Sequence, residues 1–136
     1  VSCNKHAEMS KYADTAIEVD AGSEVLTGST RLKSGTCQKL ICNMLSTAAM
    51  QGIGKIFKNL MVDMVPTNAK LRDRAVRIIS EASECSLETA REYYELSGHD
   101  MKTAIVMILS GKSREDAQKC LQDADGFVRK ALNPLV

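Results

Sequence analysis

A chain of 136 residues, 44% apolar and 26% charged, has room for one soluble domain or two very small ones. Lys and Arg number 18 against 17 for Asp and Glu, and only 4% of residues are aromatic, so neither bulk charge nor base stacking draws the chain to nucleic acid. The longest apolar run, residues 104–109, is far too short to span a bilayer, and no secretory pattern opens the sequence.

Residues 1–4, V-S-C-N, read as the end of a buried strand running into a loop. A lone strand leaves its backbone groups unpaired, so the sequence is expected to begin inside a domain whose earlier part precedes Val1. Residues 9–13 predict a short helix, residues 15–19 (T-A-I-E-V) a strand and residues 20–23 the turn after it. Cys37, Leu40, Ile41, Met44, Leu45 and Ala48 then recur at helical spacing and predict a helix over residues 29–51, closed by Gly52 and Gly54. Gly35 inside that helix costs up to about 1 kcal/mol relative to alanine, which predicts a close approach by another group.

The start of this helix carries the densest chemistry in the chain. Residues 27–36 read T-G-S-T-R-L-K-S-G-T. A helix start leaves about four N–H groups without partners and carries roughly half a positive charge, so it receives anions. Ser29, Thr30, Arg31 and Lys33 add side-chain donors, and the stretch reads as a pocket for a phosphate or carboxylate. The same residues also fit a plain helix cap, with Gly28 as a turn residue and the two cations solvated.

Residues 55–65 are apolar and mixed and fit neither period, and Pro66 marks a break. Leu71, Ala75, Ile78, Ile79 and Ala82 predict a second helix with Thr67 or Asn68 as its N-cap. Its outer face (Lys70, Arg72, Asp73, Arg74, Arg77) reads as solvated. Short helices with tight turns follow from Cys85. Ser86 caps the stripe Leu87, Ala90, Tyr94, and Gly98 ends it. Asp100 caps Met101, Ala104, Ile105, Ile108, which end at Gly111. Ser113 to Asp116 resembles a capping box before Ala117, Cys120, Leu121 and Ala124. Gly126 precedes a last segment, residues 127–132. The five cysteines (3, 37, 42, 85 and 120) have no CxxC spacing, and with two histidines they make no zinc cluster. Cys37, Cys42 and Cys120 are expected as small core residues, and free thiols of this kind suit a reducing cytoplasm.

The stretch E-V-L-T-G-S-T-R-L-K-S-G-T-C-Q-K-L, residues 24–40, resembles the signature of N-acetylmuramic acid 6-phosphate etherases. The resemblance continues through S-C-N (2–4), N-M-L-S-T-A-A-M (43–50), G-K-I-F-K-N-L-M-V-D (54–63) and A-I-V-M-I-L-S-G (104–111), and so covers essentially the whole chain. Lys5-His6 stands where the family usually has proline, and His99-Asp100 where it often has Gly-Asn.

The resemblance implies an α/β sugar isomerase (SIS) doubly wound fold, of which this chain holds the C-terminal part, followed by a small all-α module similar to ubiquitin-associated domains. It divides the chain into residues 1–66 (sugar isomerase part with the long helix), 67–84 (connecting helix) and 85–136 (helical module). It implies a cytoplasmic homodimeric lyase that cleaves the D-lactyl ether of N-acetylmuramic acid 6-phosphate in cell-wall sugar recycling, without metal or organic cofactor. It assigns Thr27, Gly28, Ser29, Thr30, Arg31 and Lys33 to phosphosugar binding, with Arg31 and Lys33 contacting an anion or holding the loop. Glu24 becomes a candidate acid/base or hydroxyl-binding carboxylate, while the principal acid and base belong to the part preceding Val1. Asn59 and Asp63 fall in a matching segment, as site residues or at a dimer contact. A non-catalytic phosphosugar sensor resembling glucokinase regulatory protein shares G-S-x-R-x-K-x-G and is the alternative; the order L-S-T-A-A-M, then G-K-x-x-x-N-L-M-V-D, favours the etherase.

Overall fold

The computed structural model describes residues 1–133; the last three residues of the 85–136 module lie outside the described residues. By contact the chain divides into two compact units, Val1–Ala49 and Met50–Val136.

In the first unit the expected helix at residues 9–13 is a single 3-10 turn, Glu8–Tyr12. The strands expected at residues 1–4 and 15–19 reduce to one parallel bridge between Ser2 and Glu18. Ser2 N–H donates to Ile17 O and Val19 N–H to Ser2 O, each at 2.9 Å, and the remaining edges carry no ladder. The long helix, α1, runs Lys33–Gly52, starting four residues later than its apolar period indicates. Its stripe has the right spacing, yet among α1 residues only Ser34 and Ile41 are buried. Leu40, Met44, Leu45 and Cys42 are exposed and Cys37 is half-buried, so these two cysteines are not the small core residues expected. Within this unit no apolar layer stands opposite the stripe. Gly35 is not tightly approached either: a Cβ there would lie 3.6 Å from Thr30 O, an ordinary contact.

The second unit holds the hydrophobic core. Residues 55–65 form a small antiparallel hairpin, β1 (Ile56–Phe57) with β2 (Leu60–Met61), turned by Lys58 at φ 56° and Asn59. Five helices follow: α2 Ala69–Ser83, α3 Leu87–Leu96, α4 Met101–Ser110, α5 Arg114–Asp123 and α6 Val128–Leu132. Four start on side chains three residues ahead of the amide they receive. Asn68 accepts from Leu71 N–H (2.9 Å), Ser86 from Thr89 (3.1 Å), Asp100 from Thr103 (2.7 Å) and Ser113 from Asp116 (3.1 Å). Each cap satisfies one N–H that helical geometry would otherwise leave open. At Ser113 the box is not reciprocal, because its hydroxyl donates to the Asp116 carboxylate at 2.8 Å.

The apolar α4 is central and packs against α2, α3, α5 and α6. Ile79, Ala90, Ala104, Ile105 and Val106 are fully buried, and Tyr94 nearly so. Leu87, expected in the α3 stripe, is 54% exposed; in the first turn it overhangs the core's edge. Cys120 is half-buried. Close backbone contact explains Gly54: a Cβ there, at φ 74°, would meet Gly126 O at 3.0 Å, so a larger residue needs backbone movement. Gly126 takes the left-handed conformation, at φ 77°. Asp63 sits beside this contact, paired with Lys102 (3.1 Å) and Lys55 (3.7 Å), while Lys102 Nζ also donates to Gly126 O (3.2 Å). Asp63 thus has an internal partner set, and Asn59 lies exposed in the hairpin turn.

Candidate functional site

Residues 24–32 form the loop that leads into the start of α1. Ser29 N–H donates to Leu26 O (3.1 Å), Gly35 N–H to Thr30 O (3.0 Å) and Thr36 N–H to Leu32 O (2.9 Å). Gly28, at φ 88°, takes the left-handed conformation this turn needs, with open space around its Cα. The first two α1 amides do not face solvent. Glu24 Oε1 accepts from Ser34 N–H at 3.0 Å and Oε2 from Lys33 N–H at 2.9 Å. The chain therefore supplies its own anion to the helix start, held by the same amides and dipole that would hold a phosphate.

This geometry bears on two expectations. The two amides that open α1, those of Lys33 and Ser34, are occupied. Glu24, read as a candidate proton carrier, has an amide on each carboxylate oxygen. The Ser34 amide, then the Lys33 amide, hold its carboxyl below the usual carboxylate range, so it stays ionised and acts as a cap. Lys33 is also committed, since its Nζ donates to Ser23 O at 2.9 Å. That bond ties Ser23 to the start of α1.

What remains available is a ring of side chains. Thr27, Thr30 and Arg31 are exposed, and Ser29 is half-buried. Among the described residues no hydrogen bond or ion pair engages the Arg31 guanidinium. Arg31 borders an open hollow of about 540 Å³ together with Ala21, Leu32, Lys33, Thr36 and Cys37. A planar guanidinium on such an opening suits bidentate contact with a carboxylate or phosphate. The arrangement can bind and orient an anion, and it brings no general acid or base to the same place.

A second carboxylate organises the neighbouring loop and was not anticipated. Glu18 accepts from Ala7 N–H (3.0 Å) and Ser10 Oγ (2.6 Å) through one oxygen and from His6 N–H (2.8 Å) through the other. Asp20 accepts from Gly22 N–H at 3.0 Å and pairs with Lys5 at 3.1 Å. Ser10 foremost lowers the Glu18 carboxyl, and the Gly22 amide foremost lowers that of Asp20.

The sign of the pH dependence follows. A carboxyl lowered on folding adds stability above its ordinary range and loses it as pH falls through the folded value. The loops of residues 1–36 are therefore expected to loosen below about pH 4, ahead of helices capped by Asn68, Ser86 and Ser113. Amide NMR of Lys33 and Ser34 should show a shared titration that Glu24→Gln removes. Amides unmoved down to about pH 3 would refute the cap as the titrating feature.

The chain matches no protein-family model. It is 60% identical over 132 residues to the N-acetylmuramic acid 6-phosphate etherase of Geobacillus sp. (strain WCH70), covering 97% of this chain and 45% of the relative. Identity is 58% over 133 residues to the protein of the same name from Shouchella clausii (strain KSM-K16), covering 98% and 45%. It is 55% over 133 residues to N-acetylmuramic acid 6-phosphate etherase 2 of Lactiplantibacillus plantarum, again covering 98% and 45%. The chain thus spans a little under half the length of these curated relatives. The resemblance to these etherases drawn from residues 2–4, 24–40, 43–50, 54–63 and 104–111 is borne out over nearly the whole chain.

Proposed function

We propose that this chain is the phosphosugar-binding C-terminal portion of a carbon–oxygen lyase that cleaves the D-lactyl ether of N-acetylmuramic acid 6-phosphate. The products are N-acetylglucosamine 6-phosphate and D-lactate. The observation that carries the reading is identity of 55–60% to proteins of that name across the donor loop and the helical unit alike. Residues 1–66 are read as part of a sugar isomerase domain and residues 85–136 as a ubiquitin-associated-like module, with residues 67–84 connecting them. The working protein is read as a cytoplasmic homodimer.

The chemistry fits the residue types. In the open-chain sugar the aldehyde acidifies the hydrogen on C2. A base removes it, lactate leaves from C3, and water adds to the double bond so formed. The substrate carries a phosphate and a carboxylate, and Arg31, with the hydroxyls of Thr27, Ser29 and Thr30, supplies donors for one of them. Gly28 shapes the turn, and Glu24 and Lys33 hold the loop. The proton-transfer groups are assigned to the remainder of the longer protein.

The test is D-lactate release from N-acetylmuramic acid 6-phosphate, followed with a coupled lactate dehydrogenase. Protein of the relatives' length containing this chain is expected to release D-lactate and the amino-sugar phosphate in equal amounts. The 136-residue chain alone is expected to release none. Tight phosphosugar binding without lactate release by the longer protein would overturn the lyase in favour of a sensor.

A further inference from the structure

The five cysteines have unlike surroundings. Cys42 is exposed, whereas Cys3, Cys37, Cys85 and Cys120 are half-buried. Cys3 Sγ lies 3.6 Å from Ser34 O and 3.7 Å from Gln38 Nε2, both uncharged. Burial pushes the Cys85 thiol up, which keeps it protonated and unreactive. Cys120 alone has an ammonium on its sulfur: Lys112 Nζ donates to Sγ at 2.9 Å. The two groups come from separate places, Lys112 from the turn after α4 and Cys120 from α5. That contact with Cys120 raises Lys112 above the usual lysine value, and the side chain keeps its proton. Cys120 also opens on a hollow of about 270 Å³ lined by Asp123, Asp125, Lys130 and Asn133, so a small molecule has room to reach the sulfur.

We propose that the Cys120–Lys112 pair is a site of reversible oxidation, with Cys120 the peroxide-reactive thiol of the chain and Lys112 the cation that partners its sulfur. The co-reactant is hydrogen peroxide or a small alkyl hydroperoxide. The sulfur, as thiolate, attacks one peroxide oxygen. A sulfur–oxygen bond forms, the oxygen–oxygen bond breaks, and the electron pair leaves on hydroxide or alkoxide, which takes a proton from solvent. Sulfur is oxidised by two electrons to a sulfenic acid, and the peroxide is reduced to water or an alcohol. A small thiol then condenses with the sulfenic acid, releasing water and leaving a mixed disulfide that further thiol reduces. The Lys112 ammonium stands where negative charge sits on sulfur before the attack, and exposure of this thiol is secondary to that charge.

The test sets charge against accessibility. The full chain is treated with hydrogen peroxide in the presence of a cyclic dione that traps sulfenic acids, and all five cysteines are quantified by peptide mass spectrometry. Cys120 is expected to be tagged several-fold faster than the more exposed Cys42. Lys112→Met is expected to bring Cys120 down to the rate of Cys42 or below, and Lys112→Arg to retain most of the advantage. Lys112 is exposed and outside the core, so these variants keep the fold, which circular dichroism checks. Faster tagging of Cys42, or a Cys120 rate unchanged in Lys112→Met, would overturn the proposal.

Discussion

Ile105→Ala is expected to lower the unfolding free energy of the second unit by about 2–5 kcal/mol. Ile105 is fully buried on α4, the helix that packs against α2, α3, α5 and α6. Its flanking residues Ala104 and Val106 are fully buried too, so the lost methylenes leave a void that four packed helices cannot close without moving together. Leu109, 43% exposed on the same helix, provides the comparison. Leu109→Ala removes as many carbons from a wetter place and is expected to cost far less. Urea unfolding followed by helix signal measures both. Equal costs would mean that α4 is not the centre of the core.

Arg31→Ala, made in protein of the relatives' length, is expected to weaken phosphosugar binding by about 1.5–3 kcal/mol, or roughly 10- to 150-fold. The figure is that of a hydrogen bond to a charged group. It applies to Arg31 because its guanidinium borders the open hollow with no internal partner among the described residues. Lys33→Ala tests the contrast. Its ammonium already serves Ser23 O at 2.9 Å, so its removal is expected to loosen the loop and to change affinity less. Calorimetric titration with N-acetylglucosamine 6-phosphate separates the two. An unchanged affinity in Arg31→Ala would reduce that arginine to a surface residue.

The helical unit was legible in the sequence because its signals are local. Ser86, Asp100 and Ser113 each stand three residues before the amide they receive, a spacing that can be read directly. Gly98 and Gly111, both at positive φ, mark helix ends in the same local way. The loop before α1 was legible in composition but not in geometry. Glu24 reaches amides nine and ten residues ahead, and Glu18 reaches back eight to twelve, distances at which no short motif operates. The start of α1 was misplaced for the same reason, since Ser29 and Thr30 carry the residue types of a cap while a distant carboxylate does the capping. Apolar periodicity identified α1 as a helix, but period cannot tell whether another layer exists to cover its stripe. The hairpin at Ile56–Phe57 and Leu60–Met61 escaped notice because its strands are two residues each and its turn, Lys58-Asn59, lacks glycine.

The unequal distribution of the core has a consequence for how order is maintained. Among the described residues, Ile41 is the only buried apolar residue of the first unit, whereas the second contains every member of the main cluster. Residues 57–131 hold the dehydrated interior that opposes chain entropy. Residues 1–49 rest on hydrogen bonds and surface ion pairs, which contribute little once water competes for them. Amide hydrogen exchange in this 136-residue chain is therefore expected to be slower along α2–α6 than in the loops of residues 1–32.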